Sequence, residues 1–312
     1  MRDKILISFD NTIGIPGCDV DDALALRYLL GSDEEVDIVA TCTCFGNSTI
    51  EAVHDETVRL WHHWNLGIPL FRGVAMASGR NSSAALDDLD VRGTAGEIAG
   101  FSAAAQAMVH YASTAPGEVT ILALGSLTDL YQASLIDSGF LGNLAGIVCM
   151  GGVTEPLTVG GRHMDELNFA CDPVATQTVL AAACPVHVLT AQNCLPAHIH
   201  IDDLIAMLPT ADTFTQRCCR EWAQVQSDET GVASFCCWDL VAAVYLVHPQ
   251  LFKVSHGAVL GSLDNLGTGL LEEVPLTSPE AEVSSQEGDD VNFPVIADIS
   301  AFWADVVRAY SK

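Results

Sequence analysis

Short runs of β-branched and apolar residues recur along the chain, at Lys4 to Phe9, Val36 to Thr43, Ile68 to Phe71, Val119 to Leu124, Gly146 to Met150 and Val186 to Thr190. Between them lie stretches in which apolar residues return at helical spacing, the mark of a helix with one buried face. Strands that alternate with such helices build βαβ units, and parallel strands covered on both faces read as continuous apolar runs. The pattern predicts an α/β fold: a doubly wound, mostly parallel sheet flanked by helices. Ligands of such sheets bind beyond the carboxyl ends of the strands, so the residues just after each run are the functional candidates.

No period of 20 to 50 residues repeats, and no linker divides the chain, so residues 1–312 are expected to form a single catalytic domain. The stretch from Glu272 to Pro294, EEVPLTSPEAEVSSQEGDDVNFP, reads as a solvated acidic loop or hairpin. The final ISAFWADVVRAY has apolar residues at helical spacing and is expected to dock as a last helix, with Trp303 serving core packing or an interface.

Composition narrows the partners. Hydrophobic residues make up 49% of the 312 and charged ones 17%, enough apolar surface for a substantial core. The net charge of −27, from 40 acidic and 13 basic residues, repels nucleic-acid backbone and anionic membrane and disfavours substrates with several phosphates. Neutral small molecules and metal cations fit better. The 11 cysteines sit largely inside apolar runs such as VATCTCF and SFCCWD, and are read as reduced core residues. The start MRDKILISFD enters a strand directly, and no run of about 18 apolar residues follows, so a cytoplasmic protein is expected.

The chemistry concentrates after the first strand, in FDNTIGIPGCDVDDALALRYLL, where a glycine- and proline-containing loop brings Asp19, Asp21 and Asp22 to the start of a helix over Ala23 to Leu30. Helix capping accounts for one or two of these carboxylates. It does not account for Asp10 as well. Carboxylates converging in this number repel one another unless a hard cation neutralises them, and an all-oxygen cluster selects Ca²⁺ or Mg²⁺ over zinc. Phosphotransfer chemistry fits less well: Thr12 stands where an Asp-x-Asp pair would need its second aspartate, and there is no GxxxxGK[ST] loop.

Five blocks in order give the chain a resemblance to the inosine-uridine type nucleoside hydrolase family. They are DDALAL from Asp21, CFGN ending at Asn47, ILALGSLTDL over 121–130, IVCMGG with DELNFACDP over 147–152 and 165–173, and WDLVAAVYLVHP from Trp238. The resemblance implies an enzyme that hydrolyses the N-glycosidic bond of ribonucleosides, releasing free base and ribose, and that assembles as a dimer or tetramer. Asp22, Asp239 and the Leu124 carbonyl would bind Ca²⁺, or Mg²⁺ in its place, with Asp10 completing the set and acting as catalytic base. Asp21, Asn47, Glu166 and Asn168 would hold the ribose hydroxyls. Blander roles stay open, a turn residue for Asn47 and a loop tie for Asn168.

The chain also departs from that family. Its opening motif is longer, so either Asp10 or Asp19 fills the first metal-ligating position, Asp10 being preferred because strand ends hold side chains more rigidly than loops. Trp238 precedes Asp239 where many members carry a histidine. In the purine-preferring branch a tryptophan there stacks on the base, which tilts the expected substrate slightly toward purine ribosides; core packing is the competing role. No aromatic residue occurs in LDDLDVRGTAGEIAG, 86–100, where Arg92 is the candidate base contact, and GGRHM over 160–164 offers His163 for a missing asparagine. These gaps motivate the alternative of a catalytically weak protein of the same fold that binds nucleosides or sugars.

Overall fold

The structure, a computed structural model, describes residues 2–78, 100–159, 161–260, 262–275 and 290–312. Nine strands form the main sheet: β1 (Asp3–Phe9), β2 (Val36–Thr43), β3 (Leu70–Arg72), β4 (Val119–Ala123), β5 (Gly146–Met150), β8 (Val186–Leu189), β11 (Phe252–Leu260), β12 (Glu272–Pro275) and β13 (Asp290–Ile296). The short strands β6 (Thr158–Val159) and β7 (Arg162–His163) pair with each other, as do β9 (His198–His200) and β10 (Ser234–Cys236). The main sheet runs in the order β12-β11-β13-β8-β5-β4-β1-β2-β3. From β13 to β3 every pairing is parallel, and only β11 runs against its neighbours.

The helices are α1 (Asp21–Leu30), α2 (Ile50–Trp64), α3 (Ala103–Thr114), α4 (Thr128–Ile136), α5 (Pro173–Leu180), α6 (Ala191–Cys194), α7 (Ile201–Met207), α8 (Thr213–Thr230), α9 (Trp238–Val247) and α10 (Leu263–Leu266), followed by a C-terminal helix, Ile299–Tyr310. Side chains alternate across β1 and separate two buried layers. Ile5, Ile7 and Phe9 pack with Leu24 of α1, Val241 of α9 and Phe302 of the C-terminal helix, while Leu6 packs with Ala104 of α3 and Leu130 of α4. Helices therefore cover both faces, as the apolar runs predict.

The C-terminal helix starts on Asp298, whose carboxylate accepts from Ser300 N at 2.9 Å and Ala301 N at 3.2 Å. It lies so close to α1 that a Cβ on Gly31 would stand 2.0 Å from the Ala309 carbonyl oxygen. Trp303 is partly buried against the core, its ring 5.0 Å from that of Phe302.

Three expectations change. The third strand begins at Leu70 rather than Ile68, because Pro69 has no N–H for the ladder and contributes only its carbonyl, to Thr41 N at 2.8 Å. The two ends of the acidic stretch are strands on opposite sides of β11 and do not form a hairpin with each other; residues 276–289 lie outside the described residues, as do 86–99 with Arg92. The helix expected over Ala23 to Leu30 starts earlier, at Asp21, and residues 168–171 form a turn. All eleven cysteines are free and nine are buried. Among the described residues no helix is long and apolar enough to cross a membrane.

Candidate active site

Strand β1 ends at Phe9 and presents Asp10 at the carboxyl edge of the sheet. The N-termini of α1 and α9 converge there, bringing Asp21, Asp22 and Asp239 together although Asp239 lies 218 residues from Asp21. One oxygen of each of these three buried carboxylates lies within 4.8 Å of the other two. Asp21 Oδ2 accepts from Asp239 N at 3.1 Å, and the positive ends of two helix dipoles face the group. Asp22 Oδ1 is buried without any hydrogen-bond partner.

Asp10 stands beside this trio. Its carboxylate accepts from Asn47 N at 2.6 Å and Asn47 Nδ2 at 3.4 Å, and its charge bears on Asp22. Two glycines make room for it. A Cβ on Gly46 would stand 1.9 Å from Asp10 Oδ2, and one on Gly125 would stand 2.9 Å from Asp10 Cγ. The glycines of CFGN and ALGS are thus required by the close approach of backbone to this one side chain. Asp19, the competitor for the first metal-ligating position, is half-buried and ties its own loop, accepting from Val20 N at 2.6 Å and Asp21 N at 3.3 Å.

Burial raises every carboxyl of the cluster. Asp10 is pushed up to about 7 by desolvation, with the charge on Asp21 adding to the rise and the Asn47 N–H opposing it. Asp22 and Asp239 are held well above the carboxylate range, again by burial first and then by neighbouring negative charge. Asp19 is raised well above it by burial and by Asp21; Asp21 itself is raised by burial, with the Asp239 N–H opposing. The donor set is all oxygen, and a cation is what such a set needs to be ionised together.

The Leu124 carbonyl, at the end of β4, accepts from Asn168 Nδ2 at 3.0 Å, and the same amide nitrogen donates to the Met150 carbonyl at the end of β5, also at 3.0 Å. Asn168 therefore spans two adjacent parallel strands. Glu166 turns inward: Oε1 accepts from Gly152 N at 3.0 Å and Phe169 N at 2.9 Å, and Oε2 from Ala170 N at 2.8 Å and Phe169 N at 3.2 Å. Burial raises its pKa against these backbone bonds. Trp238 opens α9 directly before Asp239, half-buried and packed on the core. His163 is exposed and pairs with Asp165 at 3.3 Å.

Two further carboxylates near the site were not singled out from the sequence. Asp129, in the first turn of α4, accepts from Val74 N at 3.1 Å and Ser102 Oγ at 2.5 Å, leaves Oδ2 unpartnered, and is raised to about 6 by burial. Asp172 caps α5 through Ala175 N at 3.1 Å and also accepts from Ser78 N and Thr128 Oγ1, both at 2.8 Å. Its sequence signal is legible in hindsight, an aspartate directly before a proline at the first helical position.

Residues 11–304 match the family described as inosine-uridine preferring nucleoside hydrolase. A probable uridine nucleosidase 1 of Oryza sativa subsp. japonica is 27% identical over 289 residues, covering 86% of this chain and 84% of the relative. The non-specific ribonucleoside hydrolase RihC of Klebsiella pneumoniae is 24% identical over 268 residues, 81% of this chain and 82% of the relative. Among solved structures, a plant nucleoside hydrolase superposes with a TM-score of 0.81 at 19% identity over 100% of both chains. A purine-preferring ribonucleoside hydrolase from Gardnerella vaginalis superposes with a TM-score of 0.76 at 16% identity, over 99% of this chain and 98% of that one. A match over nearly the whole chain, on a sheet that gathers acidic side chains at its carboxyl edge, places this protein in the inosine-uridine preferring nucleoside hydrolase family, as a hydrolase of N-glycosyl bonds.

Proposed function

We propose that the protein cleaves the N-glycosidic bond of ribonucleosides with the help of a divalent cation, Ca²⁺ before Mg²⁺, held by Asp22, Asp239, the Leu124 carbonyl and Asp10. The observation that carries this reading is Asp22 Oδ1, a buried carboxylate oxygen with no partner, within a knot of carboxylates whose pKa values are raised by burial and mutual repulsion. A buried anion without a partner costs several kcal/mol, so the arrangement makes physical sense around a cation. The chemistry a bound cation supplies is neutralisation of this charge and polarisation of a water.

The remaining steps fall to side chains. Asp10, steadied by the Asn47 N–H, takes the proton of the attacking water. Asp21, Asn47 and Asn168 line the ribose, and the surrounding carboxylates stabilise the positive charge that builds on the sugar as the bond to the base breaks. A site that pairs ribose hydroxyls with buried polar groups leaves those groups unpaired on a deoxy sugar, which favours ribosides. Trp238, adjoining Asp239, offers a face for the base, and its size tilts preference slightly toward purines. Pyrimidine ribosides stay in the test panel because relatives named uridine nucleosidases match most of the chain.

The test is free-ribose release from a panel of purine and pyrimidine ribosides, with and without chelator. Release from at least one riboside, lost on chelation and restored by Ca²⁺, is expected. Calorimetric binding without ribose release would favour a nucleoside-binding protein, and turnover indifferent to chelator would overturn the cation.

A further inference from the structure

We propose that Asp129 is a positioning residue that works as a neutral acid: its Oδ2–H donates to the Thr43 carbonyl and latches the carboxyl end of β2 to α4. The latch itself stands on geometry, while its effect on turnover rests on the hydrolase reading above.

The two oxygens of Asp129 are met differently. Oδ1 accepts from Val74 N at 3.1 Å and from Ser102 Oγ at 2.5 Å. Ser102 Oγ also accepts from Ala105 N at 3.0 Å, so its single proton is the one directed at Asp129. Oδ2 is buried and has no donor. It faces another acceptor: a Cβ on Gly73 would stand 2.2 Å from Asp129 Oδ2 and 2.3 Å from the Thr43 carbonyl oxygen. The β2–β3 ladder ends at the pair Thr43–Arg72, and among the described residues no backbone N–H beyond it is bonded to that carbonyl. Two buried acceptors side by side repel, and a proton on one of them turns the contact into a hydrogen bond. Oδ1 is already occupied as an acceptor, which leaves Oδ2 to carry the proton.

Among the described residues no neighbour supplies a counter-charge instead. On β2 and just after it, the Cys42 and Cys44 thiols are raised first by burial and also by the Asp129 charge, so both lie close. Cys42 Sγ is turned to the Ala104 carbonyl at 3.9 Å. From α2, His54 is engaged with Thr43 Oγ1 at 3.1 Å. Asp172, at the start of α5, is met by Thr128 Oγ1 and Ser78 N. Burial raises the Asp129 carboxyl to about 6, so the proton is held below that pH and released above it. What the latch fixes is the turn after β2, where Asn47 N donates to Asp10 Oδ2 at 2.6 Å.

The experiment uses the protein in excess calcium with the Thr43 carbonyl isotope-labelled, and compares wild type with Asp129→Asn, Asp129→Ala and Asn47→Ala. Infrared difference spectra of wild type against Asp129→Asn should show a protonated-carboxyl band that is lost as pH rises through about 6, and the Thr43 carbonyl signal should titrate with the same midpoint. In Asp129→Asn an amide N–H replaces the acid proton, so the Thr43 carbonyl should stay bonded and its signal independent of pH. Asn47→Ala should keep both wild-type signals, which separates the latch from any contact of Asn47 with the sugar. In kcat/KM, Asp129→Ala should lose roughly tenfold, as for groups that support a ligand from behind. Asp129→Asn should match wild type at about pH 5 and exceed it severalfold at about pH 8. A missing carboxyl band at about pH 5, or a Thr43 signal indifferent to Asp129, overturns the proposal; so does an Asn variant as poor as Ala, since a charge and not a proton would then be needed. Should Asp129→Ala not fold, the Thr43 titration in wild type and Asp129→Asn still decides. A wild-type protein that releases no ribose sinks the hydrolase reading alone, because both spectroscopic signals are independent of turnover.

Discussion

Two groups of buried carboxylates lie at the carboxyl edge of one sheet and are treated oppositely by their surroundings. In the cluster of Asp10, Asp21, Asp22 and Asp239 the carboxylates face one another, and Asp22 keeps an oxygen with no donor at all. In the 166–172 turn, Glu166 and Asp172 are met by backbone N–H and hydroxyl donors. Donors saturate a carboxylate and make it scaffold; carboxylates left to each other are available to a cation and a substrate. Asp129 falls between, with one oxygen satisfied and the other not.

That contrast can be broken from either side. The largest effect is expected at Asp22: Asp22→Ala should lower kcat/KM by about a thousandfold or more and abolish calcium retention, read by ribose release and calorimetry. In chelator the sign should reverse, with Asp22→Asn raising stability by about 1 kcal/mol in thermal unfolding because a repelling charge is gone. If Asp22→Asn destabilises the chelated protein, the cluster is held by something other than a cation.

Asp129 comes next. Its folded pKa, about 6, lies above the ordinary 3.8, so the folded protein keeps a proton that the unfolded chain releases. The stability that this group contributes is complete below the unfolded value and is lost as pH rises through about 6, by up to about 3 kcal/mol. Asp129→Asn should flatten that stretch of the denaturation profile between about pH 4 and 6, the window these two values bracket. Chelation of the wild type follows: with free calcium at about 100 times its dissociation constant, removal should cost about 2.7 kcal/mol of stability, a concentration-dependent fall in Tm. The smallest effect is at Trp238, where Trp238→Phe should change the purine-to-pyrimidine ratio of kcat/KM by about fivefold, near 1 kcal/mol, and leave calcium affinity alone.

Much of the fold is legible in the apolar runs. The strands at Val36–Thr43 and Gly146–Met150 have the boundaries their runs suggest, because parallel strands buried on both faces carry an uninterrupted apolar signal. The antiparallel edge is less legible: β12 and β13 sit within an acidic stretch whose composition resembles a loop, and their place is set by pairing with β11. In the site, Asp10, Asp21, Asp22 and Asp239 are readable as acidic residues after strands or at helix starts. Asp129 and Asp172 look like ordinary helix-start aspartates, and nothing local distinguishes a capping role from a tie to Val74 or Ser78.

The sequence by itself determined the order of elements, the parallel sheet, and the gathering of aspartates at one edge, since periodicity and helix-start preference act over a few neighbouring residues. Only the tertiary structure decided which carboxylates meet and which are satisfied. Asp239 reaches Asp21 across 218 residues of chain, and Glu166 is enclosed by Gly152 and Gly269, which come from separate segments. Saturation of a buried charge depends on donors brought from elsewhere in the chain, and no pattern within the turn itself encodes their arrival.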